Sequence, residues 1–342
     1  MAAPVHNAAG RRRPLPMPPL SERKDVPARM TDAVEVSCSA RLHLGFFDLN
    51  FGLGRRFGSL GLALEQPCTR LRLRRSGVTQ VAGPEAARAA RYLATLTARL
   101  GLPDAHELLI ETAMPPHAGL GSGTQLALAV TAALRHLHGL PENLRADAAL
   151  LGRGARSGVG IGLFATGGLV ADGGRGATDA VPPVLARLPL PAAWRVLLLL
   201  DPAHAGLSGG AERDAFAALP PMPEATAAAI CRLVLMGVLP AAAEADLGAF
   251  GAALTAVQAL LGAHFAAAQG GAFSSPRVGA AVARLGALGA TGLGQSSWGP
   301  TGFAFAADPD QARWLAGRLA AEDLTVLICG ASNRGAAIRA ED

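Results

Sequence analysis

The chain has 342 residues, of which 50% are hydrophobic and only 17% charged. This composition excludes an intrinsically disordered protein, because disorder requires low hydrophobicity and a high net charge. The formal charge of +5 is concentrated in residues 1–30, which contain six basic and two acidic side chains. Aromatic residues make up only 4% of the sequence. A nucleic-acid-binding protein with a basic groove interleaved by aromatics is therefore not indicated.

Residues 1–30 are basic and rich in proline, which predicts a disordered leader without the apolar segment of a secretory signal. No apolar run long enough to span a bilayer lacks a charge or proline, so we expect no membrane span. Four cysteines without CxxC spacing indicate thiols in a reducing compartment, hence a cytoplasmic protein. Lys24 is the only lysine, so arginine or histidine must supply positive charge elsewhere.

Hydrophobic periodicity predicts alternating strands and helices, and therefore an α/β protein. The predicted elements of the first half are strands at Val34 to about Leu44, 59–65, 69–75 and 106–114, and a helix over 85–100. Those of the second half are a strand at 194–201, Ala-rich helices over 224–268, a helix over 309–322 and a strand over 324–330. Spaced prolines near 180–190 suggest a join between domains 31–182 and 183–342.

The segment PPHAGLGSGTQLALAV (115–130) combines a glycine-rich turn with a helix predicted from about Gly123 to Leu137. Ser122 and Gln125 have the spacing of a capping box. Such a turn directs backbone N–H groups and the positive end of the helix dipole towards an anion. The segment lacks the lysine of a Walker A loop and the spacing of a Rossmann fingerprint, and a plain helix-capping turn is the alternative.

A second glycine cluster, GATGLGQSSWGPTGF, lies far along the chain. Together the two clusters resemble the GHMP kinase superfamily, whose phosphate motif P-x-x-x-G-L-G-S-S-A is matched from Pro115 or Pro116 to Ser122. Gly292 to Gly299 match its third motif. This resemblance implies an α+β two-layer, two-domain GHMP-kinase-like fold and a loop that binds phosphate.

The chain departs from those kinases in RGARSGVG (153–160), where Gly160 stands in place of the catalytic aspartate and Arg156 in place of a proline. Arg41 and His43 stand where the kinases carry their N-terminal lysine. Phosphoryl transfer needs cations on the phosphates and a group that positions the attacking hydroxyl. We therefore expect a loop that holds a phosphorylated substrate without passing its phosphoryl group on.

Five segments resemble the β-ribofuranosylaminobenzene 5′-phosphate synthase family, and the resemblance spans roughly Val34 to Gly335. The segments are ARLHLGFFDLNFGLGRRFGSLGLAL, PPHAGLGSGTQLALAV, RGARSGVGIGLFATGGLVADGG, HAGLSGGAERDAF and GQSSWGPTGFAF. That resemblance implies decarboxylating transfer of phosphoribosyl from phosphoribosyl pyrophosphate to 4-hydroxybenzoate or 4-aminobenzoate, in tetrahydromethanopterin biosynthesis. It also implies Mg2+, no organic cofactor and a homodimer. The alternatives are an ATP-dependent small-molecule kinase of the same fold and a non-catalytic module that binds a phosphometabolite.

Asp48 is the candidate carboxylate for an oxocarbenium-like ribose carbon. Its alternative role is to cap a turn. Arg55 is the candidate clamp for phosphate or carboxylate, with a solvated surface arginine as its alternative and Arg56 as a substitute. His204 and Glu212 are weaker candidates.

The candidate substrate-binding residues are those of the glycine-rich turns and the basic residues near them. They are Arg41, His43, His117, Gly119, Leu120, Gly121, Ser122, Gly123, Thr124, Arg156, Ser157, Ser296, Ser297 and Gly299. No cluster of metal ligands is evident in the sequence, so metal ligands are not assigned.

Overall fold

A computed structural model describes residues 31–178, 180–204, 206, 209–319 and 323–341, with only the backbone of 209–213. The predicted leader and the side chain of Glu212 lie outside the described residues. The strands are β1 (Ala33–Asp48), β2 (Phe57–Arg75), β3 (Gln80–Ala82), β4 (His106–Thr112), β5 (Leu169–Asp172), β6 (Val184–Leu188), β7 (Arg195–Leu200), β8 (Thr291–Gln295), β9 (Gly302–Ala306), β10 (Thr325–Cys329) and β11 (Ala337–Glu341).

Ten α-helices and one π-helical turn (Val234–Val238) complete the described chain. The helices are α1 (Ala86–Leu100), α2 (Ser122–Leu137), α3 (Leu144–Leu150), α4 (Val159–Thr166), α5 (Gly209–Ala218), α6 (Glu224–Leu233), α7 (Leu239–Ala243), α8 (Leu247–Gln269), α9 (Pro276–Ala287) and α10 (Pro309–Gly317).

The first sheet has seven strands in the path β11-β1-β2-β4-β3, with β5 on β2 and β6 on β5. The strands β6 and β11, which lie beyond residue 183, both belong to this sheet. The two strands predicted at 59–65 and 69–75 are one continuous strand, β2, because each half pairs with β1. β1 also runs past Leu44 to Asp48, and its register shifts between His43 and Gly45 as in a β-bulge.

The second sheet is antiparallel and has the order β10-β7-β9-β8. In the first sheet's layer, α2 is buried on nearly every side, as its apolar sequence requires, and packs on β1 and β2. Helix α8 packs on β8 and on β1, so it joins the two sheets. The turn before α2 is hydrogen-bonded to Ser296 and Thr301, between β8 and β9, so the amino end of α2 lies where elements of both sheets meet.

Two helical segments, Glu224–Ala243 and Leu247–Gln269, are long and apolar enough to cross a membrane by length and composition. Core helices of soluble proteins pass the same test. Helix α8 places Phe250, Leu254 and Leu261 in the main hydrophobic core. Its apolar sequence therefore has an explanation within the fold.

Candidate phosphate and aromatic site

The glycine-rich turn leads directly into α2. Gly119 and Gly121 have φ values of 74° and 76°, the left-handed region that favours glycine, and α2 begins at Ser122. The predicted capping box is wrong: within the described chain no side chain caps this helix, and the Gln125 amide donates instead to the Gly160 carbonyl at 2.9 Å. The N–H groups of the first turn therefore face the space in front of α2, where an anion is favoured.

The second glycine cluster closes the turn from the other sheet. The Ser296 hydroxyl donates to the Gly119 carbonyl at 2.8 Å and accepts from the backbone N–H of His43 at 3.0 Å. Thr301 donates to the carbonyl of Ala118 at 2.7 Å. Because both hydrogen-bonding directions of Ser296 are occupied, its side chain fixes the turn rather than reaching towards a phosphate.

Arginines stand beside the turn in the place of the missing lysine. A Cβ atom on Gly121 would lie 2.9 Å from Nε of Arg41, and a Cβ on Gly123 would lie 3.3 Å from Nη1 of Arg153. Arg153 donates to the Tyr92 hydroxyl, and that hydroxyl lies 3.3 Å from the Gly123 carbonyl. Sequence reasoning missed Arg153, although it is the first arginine of RGARSGVG. In the structure its guanidinium contacts Tyr92, the only tyrosine of the sequence.

Arg156 and Ser157 lie on the next turn but have different surroundings. Cζ of Arg156 lies 4.6 Å from the centre of the Phe216 ring. The Ser157 hydroxyl is 3.2 Å from the carboxylate of Asp172, which also accepts from the Ser59 hydroxyl at 2.6 Å. Burial raises the pKa of Asp172, and these hydrogen bonds oppose the rise. Ser157 is therefore part of a buried anchor for the turn before α4.

Gly160 faces the phosphate turn. A Cβ at this position would lie 3.1 Å from Cγ2 of Thr124, two residues inside α2. A carboxylate at position 160 would thus stand against the amino end of α2. The glycine leaves that place uncharged.

His43 is buried at the junction between the turn and a cavity of about 380 Å3. Within the described chain neither of its ring nitrogens has a hydrogen-bond partner, and the same holds for Nε1 of Trp298. Both residues line the cavity. Burial, and then the charges of Arg41 and Arg156, hold the pKa of His43 well below its usual value, so the ring is neutral near pH 7.

Asp48 and Arg55 make local contacts. Oδ1 of Asp48 accepts from the backbone N–H groups of Asn50 at 2.7 Å and Phe51 at 3.1 Å, so the carboxylate does cap a turn. Arg55 is exposed and donates to the carbonyls of Gly173 at 2.7 Å and Gly174 at 2.8 Å. No contact recorded among the described residues joins either side chain to the glycine turn.

The remaining candidates are divided between the two sides of the turn. The carbonyl of Leu120 accepts from the Arg41 N–H at 2.9 Å, while the His117 side chain is exposed. Ser297 donates its backbone N–H to the His43 carbonyl at 3.4 Å. The Gly299 carbonyl would lie 3.0 Å from a Cβ on Gly119.

The weaker candidates lie apart from these contacts. His204 is exposed and donates its backbone N–H to the Asp201 carbonyl at 3.2 Å. Arg56 stacks over the Phe51 ring at 5.2 Å. Neither has a recorded contact with the glycine turn in the described part of the chain.

Two family models match the chain: the GHMP kinases N terminal domain over residues 86–168 and the GHMP kinases C terminal domain over residues 238–322. Solved structures agree with this fold. Phosphomevalonate kinase of Streptococcus pneumoniae superposes with a TM-score of 0.64 at 14% identity, over 89% of this chain and 100% of that one. Homoserine kinase of Cytophaga hutchinsonii gives 0.62 at 17% identity, over 91% and 98%. The predicted two-domain GHMP-kinase-like fold is confirmed.

Relatives with closer sequences include the following two proteins. The beta-ribofuranosylphenol 5′-phosphate synthase of Archaeoglobus fulgidus is 37% identical over 233 residues, which cover 65% of this chain and 74% of the relative. The protein of the same name from Methanothermobacter thermautotrophicus is 28% identical over 326 residues, which cover 88% and 97%.

Proposed function

The chain belongs to the beta-ribofuranosylphenol 5′-phosphate synthase family within the GHMP kinase superfamily, and on that premise we propose that it forms a carbon–carbon bond between phosphoribose and an arene. The donor is phosphoribosyl pyrophosphate, and the acceptor is 4-hydroxybenzoate or 4-aminobenzoate. The observation that carries the proposal is the phosphate turn itself, flanked by Arg41 and Arg153 but with glycine at position 160.

The reaction balances without an external electron acceptor. The carboxyl-bearing ring carbon attacks C1 of the ribose with electrons supplied by the para hydroxyl or amine, and pyrophosphate leaves with the C–O bonding pair. The C–CO2 bond then breaks, its electron pair returns to the ring, and aromaticity is restored. Products are the β-ribofuranosyl arene 5′-phosphate, pyrophosphate and CO2, and inversion of the α donor gives the β product.

The amino end of α2 would hold a phosphate group of the donor. Backbone N–H groups of Gly121, Ser122 and Gly123 point from the first turn, and Arg41 and Arg153 add fixed positive charge beside it. Arginine grips phosphate bidentately and keeps its proton at neutral pH, which suits binding without proton transfer.

Asp48 is our proposed electrostatic partner for the ribose carbon. It is half-buried at the end of β1, five residues beyond His43, where the aromatic rings of Phe46 and Phe57 lie 5.7 Å apart. Oδ1 is used by the turn, and a negative charge at this edge would stabilise developing positive charge. Arg55 would act indirectly here, since it holds the 173–174 backbone.

Mg2+ is proposed as the counter-ion of pyrophosphate, whose charge it would neutralise. Among the described residues no group of three or more histidine, cysteine, aspartate or glutamate side chains gathers as a metal cage. An ion bound chiefly by phosphate oxygens and water needs few protein ligands. Cytoplasmic location, a homodimer and a place in tetrahydromethanopterin biosynthesis remain part of the proposal.

The competing proposal is an ATP-dependent kinase, favoured by the fold of the structural neighbours. Residues 31–342 contain no lysine, and Gly160 cannot position an attacking hydroxyl. These features favour the synthase.

Carboxyl-labelled 4-hydroxybenzoate or 4-aminobenzoate, supplied with phosphoribosyl pyrophosphate and Mg2+, tests the proposal. We expect labelled CO2 and pyrophosphate in equal amounts, both dependent on the donor. ADP formed from ATP and a hydroxylated substrate, with no CO2 from either arene, would establish the kinase instead. Binding of the donor without any turnover would support the non-catalytic module.

A further inference from the structure

The cavity behind His43 is large, mostly apolar and bounded by elements of both sheets. Its volume is about 380 Å3, and the lining includes Phe46 of β1, Phe265 of α8, Phe273 before α9, and Trp298. An apolar cavity of about 150 Å3 is enough to hold benzene. A substituted benzene ring therefore fits here with room for polar substituents.

Aromatic rings continue from the cavity wall towards the phosphate side. The Phe216 ring lies 5.0 Å from that of Trp298 and 5.6 Å from that of Phe46, and the ring of Phe46 lies 4.5 Å from that of His43. Arg156 stacks over the Phe216 ring of this group. Positive charge and an aromatic wall therefore meet at the His43 end of the cavity.

Two buried donors at this end lack partners in the described chain. Trp298 is 3% exposed and its indole N–H is a donor only, while His43 is 2% exposed and its neutral ring carries one N–H. Buried polar groups are normally hydrogen-bonded, and leaving one unpaired costs free energy. Both residues line the same cavity, and their unpaired N–H groups point to a ligand that supplies the acceptor when it binds.

We propose that this cavity binds the ring of a small aromatic carboxylate, and that His43 and Trp298 donate hydrogen bonds to its carboxylate at the end nearest the phosphate turn. The assignment rests on the proposed function and identifies the acceptor site within it. The same positive charges that disfavour protonation of His43, those of Arg41 and Arg156, favour an anion beside it.

This orientation suits the chemistry. The carbon that carries the carboxylate is the one that bonds to ribose, so it must face the phosphate side. The para substituent then points away from His43, into the rest of the cavity. The cavity is larger than an unsubstituted benzene ring requires, so it has room for a hydroxyl or an amine at that position.

Direct binding measurements test the site without requiring turnover. Calorimetric titration would use 4-hydroxybenzoate, benzoate and phenol, each alone and with pyrophosphate and Mg2+. We expect both carboxylates to bind at least tenfold more tightly than phenol. Trp298→Phe should weaken carboxylate binding about tenfold to hundredfold, the usual loss for a hydrogen bond to a charged group, with little effect on phenol.

Matched variants separate recognition from folding. Trp194→Phe changes another buried tryptophan, whose ring packs on Phe250 outside the cavity lining, and should bind like the wild type. His43→Leu should lose carboxylate preference, whereas His43→Gln keeps an N–H donor and should retain most of it. A purely structural role for these residues would alter stability but leave the benzoate-to-phenol affinity ratio unchanged.

The outcomes distinguish this inference from the proposed function. Unchanged carboxylate binding in Trp298→Phe and His43→Leu, or no preference for benzoate over phenol in the wild type, overturns the site even if labelled CO2 is released. Carboxylate-selective binding that both variants weaken supports the site even if the wild type releases no CO2.

Discussion

Arg41 and His43 are two residues apart on one strand, yet they face opposite kinds of environment. Around Arg41 the turn offers backbone N–H groups, a second arginine and access to solvent at Gly121 to Gly123. Around His43 the lining is mostly apolar, and the ring nitrogens of His43 and Nε1 of Trp298 lack hydrogen-bond partners in the described chain. This contrast fits a cleft with two compartments: the glycine turn for the proposed donor, which is highly charged, and the cavity behind His43 for the proposed acceptor, which is flat and mostly apolar.

The largest effect should come from disturbing the contact between the two glycine clusters, where the compartments adjoin. Gly119→Ala places a Cβ 2.6 Å from the Ser296 carbonyl oxygen, at a φ of 74°. The turn must shift, and a displacement of about 1 Å at a reacting centre costs about 100-fold in rate. We expect kcat/KM to fall at least that far, with a loss of roughly 2–4 kcal/mol in the free energy of unfolding from strain and overpacking.

Gly101→Ala is the matched control for this change. Gly101 has a similar φ of 65°, but no atom lies within 4 Å of its added Cβ. It should cost about 1 kcal/mol of stability and leave catalysis intact. Full activity in Gly119→Ala would show that the two glycine clusters need not fit together for function.

The charged compartment alone is tested by Arg153→Met. Removing the guanidinium beside Gly123 should raise KM for phosphoribosyl pyrophosphate about tenfold to hundredfold, since a hydrogen bond to a charged group contributes roughly 1.5–3 kcal/mol. KM for the arene should change little. Steady-state kinetics with each substrate varied in turn give both values.

Arg313→Met supplies the comparison for a lost arginine. Arg313 is exposed on α10 and pairs only with Asp310 one turn away in the described chain, a type of ion pair that contributes little. Its kinetics should match the wild type. If Arg153→Met also has the kinetics of the wild type, Arg153 holds the Tyr92 hydroxyl and does not bind the donor.

The glycine turn and α2 could be predicted because their information is local. Three alternating glycines and an apolar helix that ends before Pro141 fix the turn and the extent Ser122–Leu137. The capping box failed because the Gln125 amide donates to the Gly160 carbonyl, which only the folded chain brings near.

The aromatic compartment could not be predicted, because its walls combine residues 43–46 with residues between 255 and 298, far along the chain. Phe46, Phe265, Phe273 and Trp298 are ordinary core residues in sequence, and the Ala-rich helix α8 looks like scaffold. The strand β11 was also missed, since five residues with half-exposed side chains lack a clear alternating pattern and gain their place by pairing with β1.

A smaller effect is expected from Asp48→Asn. This variant tests whether a negative charge at the edge of the aromatic compartment contributes to catalysis. Asparagine still caps the turn through its carbonyl oxygen, so stability should stay within about 0.5 kcal/mol. The lost charge should lower kcat about tenfold with little change in either KM. The control is Asp308→Asn at the amino end of α10, where the carboxylate caps a helix in the same way. Equal kinetics in the two variants would assign Asp48 to the turn alone.

The smallest effect concerns the electrostatic influence of Arg41 and Arg156 on His43. Burial and the charges of Arg41 and Arg156 lower the pKa of His43 in the folded protein below its unfolded value of 6.5. Above pH 6.5 the ring is neutral in both states, so nothing is lost. As the pH falls below 6.5, the unfolded chain binds a proton that the folded one does not, and stability declines until the folded pKa is reached, by up to about 1.4 kcal/mol per pH unit.

Denaturant unfolding at pH 7.5 and 5.5 tests this. The loss of unfolding free energy in acid should be larger for the wild type than for His43→Gln, by roughly 1 kcal/mol at pH 5.5. Other histidines with lowered pKa values, such as His106, His138 and His264, contribute equally to both proteins and cancel in the comparison. Equal losses of unfolding free energy in the two proteins would mean that His43 binds a proton in the folded state as readily as in the unfolded one. Burial and the nearby arginine charges would then not lower its pKa.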